Sequence, residues 1–498
     1  MNVADIDFND AFLRGLDLME GTRKNVLLTG RAGTGKSTLL NHFRARTQKR
    51  IAVLAPTGVA AVNVEGQTIH SFFGFRPDVT LNKIKRVDGK RALIFKELDT
   101  IVIDEISMVR ADLLDCVDRF LRLNVDNEPF GGIQMVFIGD PYQLPPVMSA
   151  SDRAIFKNTY PSPYFFDAKA FDAGAFEMVE LEKVYRQKDG NFIRLLNAIR
   201  NNAADERQIA ELNARHKGHF EPSPDEGYIT LTTRNDDADK INDAHLDTLP
   251  GNAVTLKGRL QGRFNTEMLP CPLEIRIKEG AQIMLLNNDS AGRWINGTMA
   301  RIDAIPDDDE PIRVRLEDGS EEAVKPYKWD MFRYVYDRES GSIDSESAGS
   351  FTQHPFKLAW AVTIHKSQGK TFDKVVIDWG SGTFANGQAY VALSRCRTLD
   401  GLVMKTPLLK KHVLTDWRVS KYFTGLQYAS SEKRLPLDEK TRILEHAAKA
   451  KSRVRITYLR ANDEKSQREI MPLKVGTLEY LGKKYQFSFV GGFPPVHA

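Results

Sequence analysis

Residues 25–37 read Asn-Val-Leu-Leu-Thr-Gly-Arg-Ala-Gly-Thr-Gly-Lys-Ser. Asn25–Thr29 is a short apolar run of the kind that forms a strand buried on both faces. Gly30 to Ser37 fits G-x-x-x-x-G-K-[ST], and the helix-compatible Thr38-Leu39-Leu40-Asn41-His42-Phe43 follows. That is the strand–loop–helix context a phosphate-binding loop needs. The glycines let the backbone turn its N–H groups toward phosphate oxygens, and the helix start adds partial positive charge. Gly30, Ala32, Gly33, Thr34, Gly35, Lys36, Ser37 and Thr38 form the expected cradle. Lys36 faces the outer phosphates and Ser37 a magnesium ion.

Further runs of the same texture flank this one: Ile51–Ala55, Thr100–Asp104 and Gln134–Gly139, then a second set at Gly227–Thr232 and Lys374–Asp378. Helix-like stretches separate them, which predicts two parallel α/β sheets. Between the members of the second set, Asn252 to Gln353 changes character. Short alternating runs (Leu273–Ile277, Ala281–Leu286) lie among acidic or Gly/Ser-rich turns at Asp307–Glu310 and Ser340–Ser350, the pattern of a small all-β insert. Past Ser430 the chain is rich in Lys, Arg and Glu. Leu437–Lys449 reads as a charged helix or linker, and Arg453–Val490 alternates like a small β unit. The expected divisions are 1–180, with a small β insertion near 57–70; 181–251 joined to 354–428; the insert 252–353; a linker 429–450; and a tail 451–498.

The chain has 498 residues, 42% hydrophobic and 27% charged, enough for several packed domains and not the balance of a mainly disordered chain. Lys plus Arg is 70 and Asp plus Glu is 66, a net charge of +4, so polyanion binding must come from local grooves. Three distant cysteines, Cys116, Cys271 and Cys396, argue against a disulfide framework or a cysteine zinc site. No apolar run reaches the roughly 20 residues of a membrane span. The acidic start lacks a secretory pattern. The expectation is a large cytosolic or nuclear soluble protein with no membrane partner.

A phosphate loop calls for a metal carboxylate. Asp104, at the end of an apolar strand, is placed to hold magnesium together with Ser37, and Glu105 to polarise an attacking water. Adjacent acids after a buried strand suit motor ATPases better than small-molecule kinases. Gln143, in Asp140-Pro-Tyr-Gln143-Leu-Pro-Pro146, stands where it can sense the γ-phosphate, and the prolines stiffen its turn. Arg186 and Arg395 are candidates for neutralising transition-state charge. A lone arginine is more often half of a surface ion pair; the surrounding pattern raises these two.

With these residues in place the chain resembles the Pif family of superfamily-one DNA helicases, from about Asn25 to Leu402. The resemblance rests on Ala55-Pro-Thr57-Gly58-Val-Ala-Ala61, Gly66-Gln-Thr-Ile-His70-Ser71-Phe72-Phe73 and the stretch Asp115–Gly132. It continues through Gly139-Asp-Pro-Tyr-Gln143, Tyr185-Arg186-Gln, Gly280-Ala-Gln-Ile-Met284 and Asn296-Gly297-Thr. Thr363-Ile-His365-Lys366-Ser367-Gln368-Gly369 and Gly387-Gln388-x-Tyr390-Val-Ala-Leu-Ser394-Arg395 close the set. It implies two tandem RecA-like domains with an SH3-like insertion, and an ATP- and magnesium-dependent 5′-to-3′ helicase. It adds Gly369 and Gln388 to the nucleotide site. Thr57, His70, Phe72 and Phe73 in one half, with Thr363, His365, Lys366 and Ser367 in the other, become the contacts to single-stranded DNA. Arg333, Tyr334 and Tyr336 form a further polar and aromatic group in the insert. Among Phe72, Phe73 and Phe75, at least one ring is expected in the core.

The family often carries a glutamine before the phosphate loop that reads adenine. Asp7-Phe8-Asn9-Asp10-Ala11-Phe12 has none, so adenine selectivity does not carry over. The tail, with Val454-Arg-Ile456-Thr457-Tyr458-Leu459, Arg468-Glu-Ile470-Met-Pro472 and Tyr480-Leu-Gly482-Lys-Lys-Tyr485, resembles the opening of a WYL domain. The expected partners are single strands and single–double-strand junctions, with guanine quadruplexes and RNA–DNA hybrids open, engaged by a monomer. Roles in replication, repair, recombination and telomere maintenance follow from the resemblance. A small-molecule kinase predicts no second α/β domain with its own arginine. A nucleotide switch, acting on RNA or as a scaffold, predicts no strong stimulation by DNA.

Overall fold

The computed structural model describes residues 8–76, 78–148, 156, 159–223, 226–262, 269–306, 310–336, 343–459, 465–480 and 483–490. The chain forms two compact units: Met1–Arg200 with Ala204–Leu414, and Asn201–Ala203 with Thr415–Ala498. No helix among the described residues is long and apolar enough to cross a membrane.

The larger unit begins with α1 (Asp10–Gly21), β1 (Asn25–Gly30), α2 (Lys36–Arg46), β2 (Ile51–Ala55), α3 (Gly58–Asn63), β3 (Gln67–Thr68) and α4 (Ile69–Phe73). It continues through α5 (Lys90–Glu97), β4 (Thr100–Ile103), α6 (Ala111–Asn124), β5 (Gln134–Gly139) and β6 (Phe176–Leu181). The strands make one sheet in the order β3-β2-β4-β5-β1-β6, with every pairing parallel. β4 and β5 are buried along their whole length, as near-continuous apolar runs require. β6 was not anticipated: Phe176-Glu-Met-Val-Glu-Leu181 mixes acids into the run because it pairs on one side only, at the sheet edge.

Residues 57–70 do not form a small β insertion. They build α3, the two-residue β3 and the start of α4. Thr57 and Thr68 cap the two helices, accepting from the Ala60 and Ser71 amides at 3.3 and 3.2 Å, a local hydrogen bond that favours helix starts over strands. The stretch Asp115–Gly132 is an internal brace. Asp118 accepts from the Phe130 amide at 2.7 Å and from Arg122 at 2.7 Å, and Asp115 accepts from the Tyr160 hydroxyl at 2.7 Å.

The second half comprises α7 (Gly190–Arg200), α8 (Glu206–Asn213), β7 (Ile229–Thr232) and α9 (Asn235–Thr248), then, after the insert, β18 (Ala361–Thr363), β19 (Val375–Asp378), α10 (Gln388–Leu393) and β20 (Leu402–Met404). Its parallel sheet runs β18-β7-β19-β20. The insert holds β8 (Val254–Lys257), β9 (Arg259–Gly262), β10 (Glu274–Ile277), β11 (Gln282–Leu285), β12 (Met299–Ala304), β13 (Ile312–Leu316) and β14 (Glu321–Val324). β15 (Tyr327–Tyr336), β16 (Ile343–Gln353) and β17 (Phe356–Leu358) complete it. These form antiparallel sheets β14-β13-β12-β11-β17, β15-β16-β9 and β10-β8. β17 pairs with β11, so the insert runs past 353 to Leu358. Arg333, Tyr334 and Tyr336 lie on β15, and their side chains fall outside the described residues.

The smaller unit carries α11 (Trp417–Arg434), α12 (Leu437–Ala450) and two hairpins, β21 (Val454–Leu459) with β22 (Lys465–Ile470) and β23 (Pro472–Tyr480) with β24 (Lys483–Val490). Gly491–Ala498 lies outside the described residues.

Candidate active site

The phosphate loop closes between β1 and α2. Gly33 and Gly35 sit at φ +78° and +88°, a left-handed region that favours glycine. At Gly33 the neighbour also demands it, since a Cβ there would lie 2.4 Å from Cβ of Arg186. Lys36 Nζ donates to the carbonyls of Gly30 (2.7 Å) and Arg31 (2.9 Å), and Thr34 Oγ1 to that of Arg31 (2.9 Å). Burial pushes the Lys36 pKa down, against the pull of Asp140, Glu105 and Asp104. Ser37 is exposed in the first turn of α2. Upstream, Asn9 caps α1 through the Phe12 amide and donates to the Tyr185 hydroxyl at 2.9 Å. The Tyr185 amide in turn donates to Gly33 O at 2.8 Å.

Asp104 follows β4, its amide held by Leu54 O at 2.9 Å. Burial raises its pKa. Glu105 takes a left-handed backbone, φ +50°. Burial, then the Asp104 charge, raises its carboxyl to about 7. Among the described residues no three His, Cys, Asp or Glu side chains cluster as a self-sufficient metal cage. One carboxylate and one hydroxyl, Asp104 and Ser37, are the hard-oxygen set that fits a magnesium ion completed by phosphate oxygens and water.

Gln143 and Glu105 meet at Gln368, a member of the Thr363–Gly369 motif to which the sequence assigns no role of its own. Gln368 Nε2 donates to Glu105 Oε2 at 3.0 Å and to Gln143 Oε1 at 3.3 Å, joining the two halves of the larger unit. Beside it, Asp140 is fully buried. Arg200 pairs with it at 2.9 Å and stacks over Tyr142 at 3.9 Å. The Tyr390 hydroxyl donates to Asp140 at 3.3 Å and accepts the Ala32 amide at 2.9 Å, so the phosphate loop is tied to α10. Despite burial, Arg200 and Lys36 hold the Asp140 pKa below the usual range.

Arg186 and Arg395 converge here. Arg186 donates to the carbonyls of Ser394 (3.2 Å) and Gly369 (3.4 Å). Arg395, 1% exposed, donates to the carbonyls of Val391 (2.9 Å) and Lys370 (3.1 Å) and to Ser394 Oγ (2.8 Å). Among the described residues neither has a carboxylate within 4.0 Å, so the surface ion-pair alternative fails. Burial lowers Arg186 to about 10, and burial with the Arg186 charge lowers Arg395 to about 9. Both stay charged at neutral pH, and among the described residues neither forms an ion pair, the Glu105 charge acting on both from a distance. Gln388 is buried, with Oε1 accepting the Phe384 amide at 3.0 Å and Nε2 unpartnered. It organises its own turn.

The DNA candidates divide. Phe72 and Phe73 are 6% and 2% exposed. Phe73 packs against Phe72, Phe75, Phe95 and Phe120 at 4.9–5.8 Å between ring centroids. Their expected base contacts are therefore corrected to a core role: α4 turns both rings inward. Ser367 is fully buried, its hydroxyl donating to Ile364 O at 2.7 Å. Thr363, 4% exposed, accepts the Lys366 amide at 3.4 Å. Both shape the turn, and the Ser367 hydroxyl is spent on a backbone carbonyl. Thr57 and Lys366 are exposed, and His70 and His365 half-buried, with burial lowering both histidine pKa values.

Residues 17–209 match the family model described as PIF1-like helicase. The ATP-dependent DNA helicase Pif1 of Bdellovibrio bacteriovorus is 33% identical over 414 residues, 81% of this chain and 88% of that protein. Human ATP-dependent DNA helicase PIF1 is 35% identical over 76% of this chain, which spans only 58% of it. Bacteroides Pif1 in complex with ADP-AlF4 superposes with a TM-score of 0.77 at 35% identity, covering 86% of this chain and 98% of that one. The same protein bound to single-stranded DNA, with equal coverage and identity, gives 0.63. These matches extend the parallel α/β architecture to a RecA-like core. Family model, motif order and fold agree: this chain belongs to the PIF1-like helicase family.

Proposed function

We propose that this chain is an ATP-driven motor that moves 5′ to 3′ along single-stranded DNA and unwinds duplex ahead of it. One observation carries the reading. The buried Arg395 guanidinium and the half-buried Arg186 guanidinium, neither with a carboxylate partner, stand at the same cleft as Lys36, Asp104 and Glu105, and Gln368 and Tyr390 link the two halves around it. A γ-phosphate would supply the missing anion. Glu105 would orient the attacking water, and Asp104 with Ser37 would hold Mg2+. The better superposition on the Bacteroides form without DNA than on the form with it supports a change in domain arrangement on binding the strand. Closing and opening of the cleft would then move two grips relative to each other.

The insert is read as an SH3-like barrel and the tail as a partial WYL-like unit. The substrates are tailed duplexes, RNA–DNA hybrids or guanine quadruplexes met in replication, repair, recombination or telomere maintenance, engaged by a monomer in a bacterial-type cytoplasm. The test is ATP hydrolysis with and without single-stranded DNA, beside strand displacement on 5′- and 3′-tailed duplexes. Strong stimulation and displacement of the 5′-tailed substrate alone are expected, with Lys36→Ala abolishing both. Unstimulated hydrolysis without displacement would instead favour a nucleotide switch.

A further inference from the structure

The loop after β19 holds an aromatic ring that no motif accounts for. Phe384 is 61% exposed, the most exposed Phe, Tyr or Trp among the described residues of the larger unit. A single exposed apolar side chain is ordinary; this one is held in place. Its ring lies nearly parallel to the His365 imidazole, 5.9 Å between centroids at 13°. Its amide donates to the buried Gln388 side chain. Thr383 Oγ1 donates to His412 O at 2.8 Å, Gly382 N to Trp379 O at 2.8 Å and Gly387 N to Leu414 O at 2.8 Å. The loop is thus fixed along its length, and one ring face is backed while the ring stays largely open to solvent.

Its place in the fold gives it a use. β18, β7 and β19 are parallel neighbours, so their carboxyl ends share one edge. His365 and Lys366 follow β18, Arg234 follows β7 and Phe384 follows β19; Lys366 and Arg234 are exposed. Ligands of open α/β sheets bind at this edge. Rings interleaved with cations are what a single strand needs, stacking for bases and charge for phosphates. The rings first expected to stack, Phe72 and Phe73, are in the core, which leaves that role without a residue.

We propose that Phe384, backed by His365, is a base-stacking platform for single-stranded nucleic acid, with Lys366 and Arg234 meeting the adjoining phosphates. This rests on the single-strand reading above. Fluorescence anisotropy with a fluorescein-labelled oligothymidine, and with a matching strand of abasic sites, over a salt series separates the two. Phe384→Ala should weaken oligothymidine binding by about 5- to 150-fold, the range for loss of one stacked base. The salt slope should stay unchanged, Phe384→Trp should restore affinity, and the abasic strand should not distinguish wild type from Phe384→Ala. Lys366→Ala should instead flatten the salt slope by about one phosphate contact. ATP hydrolysis without DNA should be unaltered in Phe384→Ala, showing an intact fold. Wild-type affinity in Phe384→Ala, or equal weakening on both strands, would overturn the platform while leaving the motor reading standing. Absence of binding by the wild type would overturn both.

Discussion

Asp140 and Arg395 are both charged, both essentially inaccessible to solvent, and both at the cleft. The protein treats them in opposite ways. Asp140 is answered from within, by Arg200, by the Tyr390 hydroxyl and by a 3.4 Å contact from Gln143. Arg395 has only carbonyls and one hydroxyl as hydrogen-bond partners; a second arginine opposes it, and Glu105 and Asp140 act on it from beyond ion-pair distance. A buried charge with an internal partner holds structure together, and removing the partner is costly. A buried charge with only neutral acceptors destabilises the empty site and is relieved by an arriving anion. The same burial therefore marks a brace in one case and, in the proposed motor, a phosphate seat in the other.

The largest effect should come from breaking the seat. Arg395→Ala, and separately Arg186→Ala, should lower kcat by roughly 10³-fold, about 4 kcal/mol of transition-state stabilisation. Melting temperature without ligand should hold or rise, because an uncompensated buried charge is removed. ADP with aluminium fluoride should raise the wild-type melting temperature and raise that of Arg395→Ala much less. A large drop in unliganded stability would reassign Arg395 to the brace.

Breaking the brace should do the reverse. Arg200→Ala strands the Asp140 carboxylate and should destabilise folding by about 3–5 kcal/mol, read by denaturant titration. Tyr390→Phe, which keeps the ring and removes the hydroxyl between Asp140 and the Ala32 amide, should cost about 1–3 kcal/mol. It should also weaken nucleotide binding, since the phosphate loop loses its tie to α10. Stability equal to wild type in both variants would dissolve the contrast.

Where the chemistry is contiguous, the sequence displays it. Gly30 to Ser37 is one motif with its own strand and helix, and Asp104-Glu105 follows a run too apolar to be anything but a buried strand. The brace is illegible because its members are brought together only by folding: Asp140 and Arg200 are 60 residues apart, Tyr390 is 250 from Asp140, and Gln368 is 263 from Glu105. No local periodicity encodes such pairs. The aromatic residues fail for another reason. Ring chemistry is the same in core and on a binding face, so Phe72 and Phe73 read as stacking candidates until α4 turned them inward. Phe384, set in Gly380-Ser-Gly-Thr-Phe384-Ala-Asn-Gly387, gives no pattern at all. β6 was missed because edge strands tolerate acids.

The smallest effect on basal chemistry belongs to Gln143, which sits between brace and seat. It touches Asp140 at 3.4 Å and Gln368 at 3.3 Å, both at the long end for hydrogen bonds. Loss of either contact should cost little folding stability. Gln368 also holds Glu105, so Gln143→Ala should leave the water-orienting acid in place and retain part of the basal ATPase. In the proposed motor it would remove a link from the triphosphate through the stiff Pro145-Pro146 turn to the DNA-facing loops. Stimulation by single-stranded DNA and strand displacement should therefore fall together, by more than basal turnover does. Measuring all three on one preparation decides it, with Gln368→Ala as the contrasting variant, since that change frees Glu105 and should lower basal turnover as well. If Gln143→Ala unwinds at wild-type efficiency per ATP hydrolysed, the mechanical link runs elsewhere. The next candidate would be Tyr390, which joins the phosphate loop to the second half.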